Sequence, residues 1–310
     1  MSMTADPPHP AAADGAPPAS GTPKRSSMPV ALEVLHPITW FAPMWAFTCG
    51  VVSSGQPIWA HIGVLLLGIT IAGPMVCGTS QAANDWFDRH VDAINEPHRP
   101  IPSGRLPGRS GLYIAIGWSV ASLVMALGLG RWGFGAVLIG LVLAWAYSMP
   151  PARLKQNGWW GNLACGAAYE GLPWITGAAV MLDGPPNWKI LVVAALYSLG
   201  AHGIMTLNDF KSVEGDLRTG INSLPAMLGV KRAGIVASLV MAIPQVVVVA
   251  LLASWHFTGQ AIAVSLLLAA QIGLMIWLMG KPKERAPAYN GSGTTLYVIG
   301  MMITAFALRP

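Results

Sequence analysis

Residues 60–92 read AHIGVLLLGITIAGPMVCGTSQAANDWFDRHVD, an apolar run that gives way to a dense acidic cluster. About 20 apolar residues suffice for a helix to cross the hydrocarbon core of a bilayer. The stretch therefore reads as a membrane-spanning helix with Asp85, Asp88 and Asp92 where the span ends. Residues 188–207 repeat the pattern and lead into Asn208-Asp209, then Glu214 and Asp216. Together the two clusters hold six of the chain's 13 acidic side chains. Carboxylates at a membrane boundary are costly unless a cation or partner compensates them, so both clusters are functional-site candidates.

The rest of the 310-residue chain agrees with this reading. It is 54% hydrophobic and only 10% charged, against about 25% charged for a soluble domain. That excludes a water-exposed globule. Apolar spans are predicted near 37–55, 60–82, 111–129, 132–149, 161–181, 188–207, 233–253, 258–279 and 292–308. The expected fold is all-α and polytopic, with nine transmembrane helices. Residues 1–27, rich in Pro, Ala, Gly and Ser, cannot bury enough surface to offset their ordering entropy. They are expected to be a disordered tail ahead of one transmembrane domain, 28–310. The tail lacks the apolar core of a signal peptide.

Of the 18 Lys and Arg, only Arg131, Lys189 and Arg309 fall outside the N-terminal tail and the even-numbered loops. By the positive-inside rule the tail and those loops should be cytoplasmic. Both acidic clusters end even-numbered spans, so they meet the same face. Topology and anionic lipid account for the net charge of +5; no nucleic acid is called for. Cys49, Cys77 and Cys165 lie in apolar segments without metal-ligand spacing.

Asn84 and Asp88 are spaced i, i+4, as are Asp88 and Asp92, while Asp85 and Asp88 are i, i+3; such spacings share a helical stripe. Like charges on one stripe repel, which argues against a capping or solubilising role. Oxygen-only ligands suit a hard cation such as Mg²⁺, held by a few carboxylates plus substrate phosphates. Asp85, Asp88, Asp92, Asp209, Glu214 and Asp216 are the candidate metal ligands. Arg99 and Arg105, in a Pro-rich segment, and Arg153 and Lys155, after the fourth span, are cations suited to phosphate oxygens on the same face. Some of this positive charge is topological, Arg109, Lys231 and Lys281 first.

These elements resemble the UbiA-type membrane prenyltransferases: Asn-Asp-x-x-Asp-x-x-x-Asp at 84–92, Arg99-Pro100, Ser103-Gly104-Arg105, Tyr147 to Lys155, and Glu214-Gly215-Asp216 before Gly220. The likeness runs from about residue 33 to the end. Residues 84–97 and 201–211 further resemble the branch that esterifies the propionate of bacteriochlorophyllide with a geranylgeranyl or phytyl chain. The resemblance implies helices around a central cavity, an Mg²⁺-dependent enzyme, a prenyl diphosphate donor and bacteriochlorophyllide as acceptor. It also implies a bacterial inner membrane, cytoplasmic or intracytoplasmic, with the active site facing the cytoplasm. Many members place another acid where Ser212 stands.

On this reading Asp85, Asp88, Arg99 and Lys155 are central to catalysis. Asn84, Tyr147, Arg153, Asn208 and Arg105 assist in holding the diphosphate. Trp86, Glu170 and His202 are candidates for the acceptor pocket; for His202 an interhelical hydrogen bond competes with ligation of the pigment's magnesium. The acceptor carboxylate titrates near 4, so no strong general base is required. Prenylation of a quinone precursor or of haem is the alternative within this chemistry. A transporter is the alternative outside it, and would predict charges inside several spans rather than acids gathered at one face.

Overall fold

The computed structural model describes residues 28–309; the tail expected at 1–27 lies outside the described residues. Among the described residues nine long helical rods form, and no strand. We label them α1 (Phe41–Ser53), α2 (58–95), α3 (Ser110–Ala126), α4 (Gly130–Ser148), α5 (158–182), α6 (Trp188–Asn208), α7 (Val230–Ser254), α8 (Thr258–Gly280) and α9 (Pro282–Ala307). Five stretches are long and apolar enough to cross a membrane: Ile58–Ala93, Ser110–Ser148, Trp188–Lys211, Val230–Ser254 and Thr258–Gly280. The second of these folds back at Gly130, where φ of +68° suits only glycine without strain, and so contains both α3 and α4. By contrast α1 has 13 residues, and α5 and α9 carry polar side chains such as Asn162, Glu170 and Asn290.

Two rods contain a wider, π-type turn, at Ile71–Cys77 and Ala167–Gly171. Pro74 removes one backbone donor inside the first, and its carbonyl accepts the indole N–H of Trp118 at 3.2 Å. Such turns concentrate at functional sites. Both border the cavities described below.

The main core lies at the end of the bundle away from the acids. There Trp174 stacks on Tyr197 at 5.6 Å, and Tyr197 exchanges a hydrogen bond with Thr304 at 2.9 Å. Helices α1 and α5 cross almost backbone to backbone. A Cβ on Gly50 would sit 2.0 Å from the Trp174 carbonyl, and one on Gly177 would sit 2.3 Å from that of Phe47. Small residues at such crossings replace the hydrophobic drive that lipid cannot supply. Gly50→Ala is therefore expected to cost about 1–3 kcal/mol by overpacking, read as a lower unfolding temperature in detergent.

Candidate active site

Helix α2 does not stop at the expected boundary near residue 82 but continues to Asn95. Side chains four residues apart on a helix share a face. Asn84, Asp88 and Asp92 accordingly line one wall of a cavity of about 370 Å³. The facing wall carries Asp209, in the turn after α6, and Asp216, in the short helix Val213–Thr219. Tyr147, Lys155 and Asn162 complete it.

Backbone pairing fixes the two loops at this mouth. The Asn222 N–H donates to the Gln156 carbonyl at 3.0 Å, and Gly158 N–H to the Asn222 carbonyl at 2.8 Å. A Cβ on Gly158 would lie 2.6 Å from Leu224 N, so the approach requires glycine. Lys155 and Ser223 are thereby held at the same cavity.

Charge on the Asp88 side of the cavity is paired, while Asp209 and Asp216 on the other side take neutral partners. Lys155 contacts the Asp88 carboxylate, and Arg153 Nη2 lies 3.5 Å from Asp88 Oδ1. Burial pushes the Lys155 ammonium below its ordinary pKa, while Asp88 opposes that shift. The Arg99 guanidinium spans Asp85 and Asp92, 3.1 Å from each, and also binds Glu96. Asn162 donates to Asp209 at 3.3 Å. Ser212 and Ser223 donate to the same oxygen of Asp216, at 3.0 and 2.6 Å. Burial nevertheless pushes the Asp216 carboxyl above the ordinary carboxylate range. Ser212 thus supports the acid one helical turn on.

Several expected site residues stand apart. Asp85 is 2% exposed and turned off the cavity; one oxygen meets His36 Nε2 at 2.9 Å and the other meets Arg99. One residue along the helix rotates a side chain by about 100°, enough to remove Asp85 from the stripe. Arg105 forms a fork with Glu33 at 2.7 and 2.8 Å and also donates to the His98 carbonyl. Glu214 lines the cavity's edge and pairs with Lys283 near solvent. Trp86 packs under the Arg89 guanidinium, 4.2 Å from its ring centre. Asn208 bonds Asn290 at 2.6 Å and, with Glu170, lines a separate cavity of about 290 Å³. His202 lines a third, on the outside of the bundle. Asn162, Lys211 and Ser223 are cavity residues the sequence reading did not select; a polar Asn inside an apolar span was the available signal for the first.

Tyr147 joins the polar cavity to a narrow apolar one of about 30 Å³. That cavity shares Ala72, Val76, Gly140 and Ala168 with a further one of about 40 Å³. The series leads from charged side chains to mostly apolar ones.

The donor atoms around the polar cavity are oxygens, the set that suits Mg²⁺ rather than a soft metal. Buried Asp88 Oδ1 makes no hydrogen bond. Among the described residues no three acidic, His or Cys side chains converge on one point. Mg²⁺ bound through one or two carboxylates and substrate phosphates does not need such convergence, so the residues fit this ion.

The family model for the UbiA prenyltransferase family matches residues 39–298. The chain belongs to the UbiA prenyltransferase family. A bacteriochlorophyll synthase 33 kDa chain from Rhodobacter capsulatus is 57% identical over 294 residues, covering 93% of this chain and 97% of the relative. A chloroplastic chlorophyll synthase from Avena sativa is 35% identical, covering 90% and 76%. Among solved structures, a UbiA homologue from Archaeoglobus fulgidus bound to DMAPP and Mg²⁺ superposes with a TM-score of 0.67 at 17% identity, covering 91% of this chain and 99% of that one. The family membership and this superposition agree on an all-α multi-pass membrane fold.

Proposed function

We propose that this membrane prenyltransferase transfers a geranylgeranyl or phytyl group from its diphosphate to the propionate carboxylate of bacteriochlorophyllide. The observation that carries the reading is the junction at Tyr147, where a cavity walled by acids and cations opens into a narrow apolar series. That shape matches a molecule that is anionic at one end and oily at the other. The identity of the acceptor comes from the bacteriochlorophyll synthase relatives.

Asn84, Asp88 and Asp92 from one wall, and Asp209 and Asp216 from the other, are the residues that would hold Mg²⁺. Bound there, Mg²⁺ would supply positive charge to neutralise the diphosphate. Lys155, Arg153 and Arg99 supply further positive charge at the same mouth. Cations fixed in advance where negative charge develops lower the barrier to leaving. The allylic C–O bond breaks with its electron pair going to the diphosphate, and the propionate oxygen bonds to the freed carbon. The acceptor arrives ionised, so no residue needs to take its proton. Its ring is assigned to the Glu170 cavity, which shares Cys165 and Tyr169 with the chain-binding series. There Glu170 Oε2 and Thr294 Oγ1 have no partners and offer polar anchors. The positive-inside bias supports a cytoplasmic mouth, and the bacterial relatives support an inner membrane.

The test is to incubate purified membranes with labelled geranylgeranyl diphosphate, Mg²⁺ and, separately, bacteriochlorophyllide, 4-hydroxybenzoate or haem. Label should enter a bacteriochlorophyllide ester, and chelation should abolish transfer until Mg²⁺ is returned. Transfer to another acceptor alone, or activity indifferent to chelator, overturns the reading.

A further inference from the structure

The fold withdraws Asp85 from the polar cavity, yet both of its oxygens are engaged. Oδ1 accepts from Arg99 Nη1 at 3.1 Å, and Oδ2 accepts from His36 Nε2 at 2.9 Å. The same Arg99 nitrogen donates to Asp92 Oδ2 at 3.1 Å. Arg99 and Asp92 line the cavity, whereas His36 and Asp85 stand behind them. A line of contacts thus runs from His36, through Asp85 and Arg99, to the mouth.

The backbone at His36 is shaped for this contact. Its φ of +47° lies in the left-handed region, which is costly for a residue with a Cβ. Such conformations persist where the surroundings over-determine them, and they gather at functional sites. Here the Thr39 hydroxyl donates to the His36 carbonyl at 2.9 Å, and the Trp40 indole donates to that of Leu35 at 2.8 Å. Val34 and Leu35 are buried against Ala82 and Ala83 of α2. Just ahead, Glu33 grips Arg105, which belongs to the same loop as Arg99. This N-terminal segment therefore holds both α2 and the loop between α2 and α3.

Arg99 faces three carboxylates, those of Asp85, Asp92 and Glu96. A long side chain on a loop needs a fixed support if its charge is to stay at one place. Asp85 is 2% exposed and rooted in a helix, so only rotation of its carboxylate is left to control, and His36 controls it. A cation set in advance where negative charge will develop acts without reorganising. We propose that His36 is a positioning residue for diphosphate binding: it orients the Asp85 carboxylate, which fixes the Arg99 guanidinium at the cavity mouth. Asp85 then acts through Arg99 rather than on a metal. The proposal rests on the diphosphate reading of the cavity and is independent of the acceptor.

The test is calorimetric binding of inorganic pyrophosphate with Mg²⁺ to the full chain in detergent. His36→Asn should weaken binding about tenfold, a common scale for groups coupled in one hydrogen-bond network. Asn accepts the left-handed backbone, but its amide stops short of Asp85. His36→Gln, whose amide reaches as far as Nε2, should stay within about twofold of wild type. In an Arg99→Ala background, His36→Asn should have no further effect, because nothing is left to position. Equal affinity of wild type and His36→Asn overturns the proposal, as does a Gln variant as weak as the Asn one. So does a loss that persists in full without Arg99, which would make His36 a support of the fold alone. Absence of binding by wild type would strike the diphosphate reading of the cavity, and this proposal with it. Failure of the proposed acceptor would look different: pyrophosphate binding intact, but no bacteriochlorophyllide ester.

Discussion

Asp88→Asn is expected to lower prenyl transfer by about 10³-fold, the scale of losing one preorganised electrostatic contact at a reacting centre. Asp88 sits in the middle of the cavity stripe and is the acid that both Lys155 and Arg153 approach. The substitution preserves shape and removes one negative charge, so any cation the cavity holds is bound less well. A second effect must be kept apart from this one. Lys155 is 9% exposed, and removing its partner leaves a buried ammonium. Breaking a buried pair costs about 3–5 kcal/mol, and nearby Asp216 should bring this to the low end. The double variant Asp88→Asn/Lys155→Met separates the two effects. Its unfolding temperature in detergent should recover toward wild type, because the unpaired charge is gone. Its turnover should stay as low as that of the single variant. Recovery of both would mean that the acid serves the fold rather than the reaction.

Much of the architecture was legible because lipid imposes a simple code. Apolar runs of span length, and the side on which Lys and Arg fall, locate the rods and bring both acidic clusters to one face. The helical phase of the first cluster was legible too, since Asn84, Asp88 and Asp92 stand at four-residue intervals. Asp85 shows where residue type misleads. As an acid it competes with its neighbours for a metal role, but its phase turns it toward His36, 49 positions earlier in the chain. No local pattern announces such a partner. The same holds for Arg105, whose fork grips Glu33, and for Glu214, which meets Lys283. Each is a polar pair closed by the tertiary fold, and each changes which side chains face the cavity. His202 differs again. Expected at the acceptor pocket with Glu170, it lines a different cavity, on the outside of the bundle.

Gly140→Phe should convert the apolar series into a short pocket and change which donors are accepted. Gly140 lines both narrow cavities, and a Cβ there would already meet Val76 Cγ1 at 3.3 Å and Leu172 Cδ2 at 3.5 Å. At about 30 and 40 Å³ the two spaces leave no slack, so a long chain must thread past this glycine. A phenyl ring at that point blocks the distal cavity near Phe47 and Thr176 while leaving the Tyr147 junction and the polar cavity untouched. Turnover per KM with geranylgeranyl diphosphate should fall on the order of 100-fold, as several methylenes lose their contacts at once. Dimethylallyl diphosphate, which ends before the block, should lose little. Gly140→Ala adds only one methyl group, and should fall between wild type and the phenylalanine variant. A kinetic series over donors of increasing length, run on all three proteins, reads the position of the obstruction directly. Equal losses for short and long donors would place the chain elsewhere, because a bottleneck deep in the series cannot penalise a donor that never reaches it.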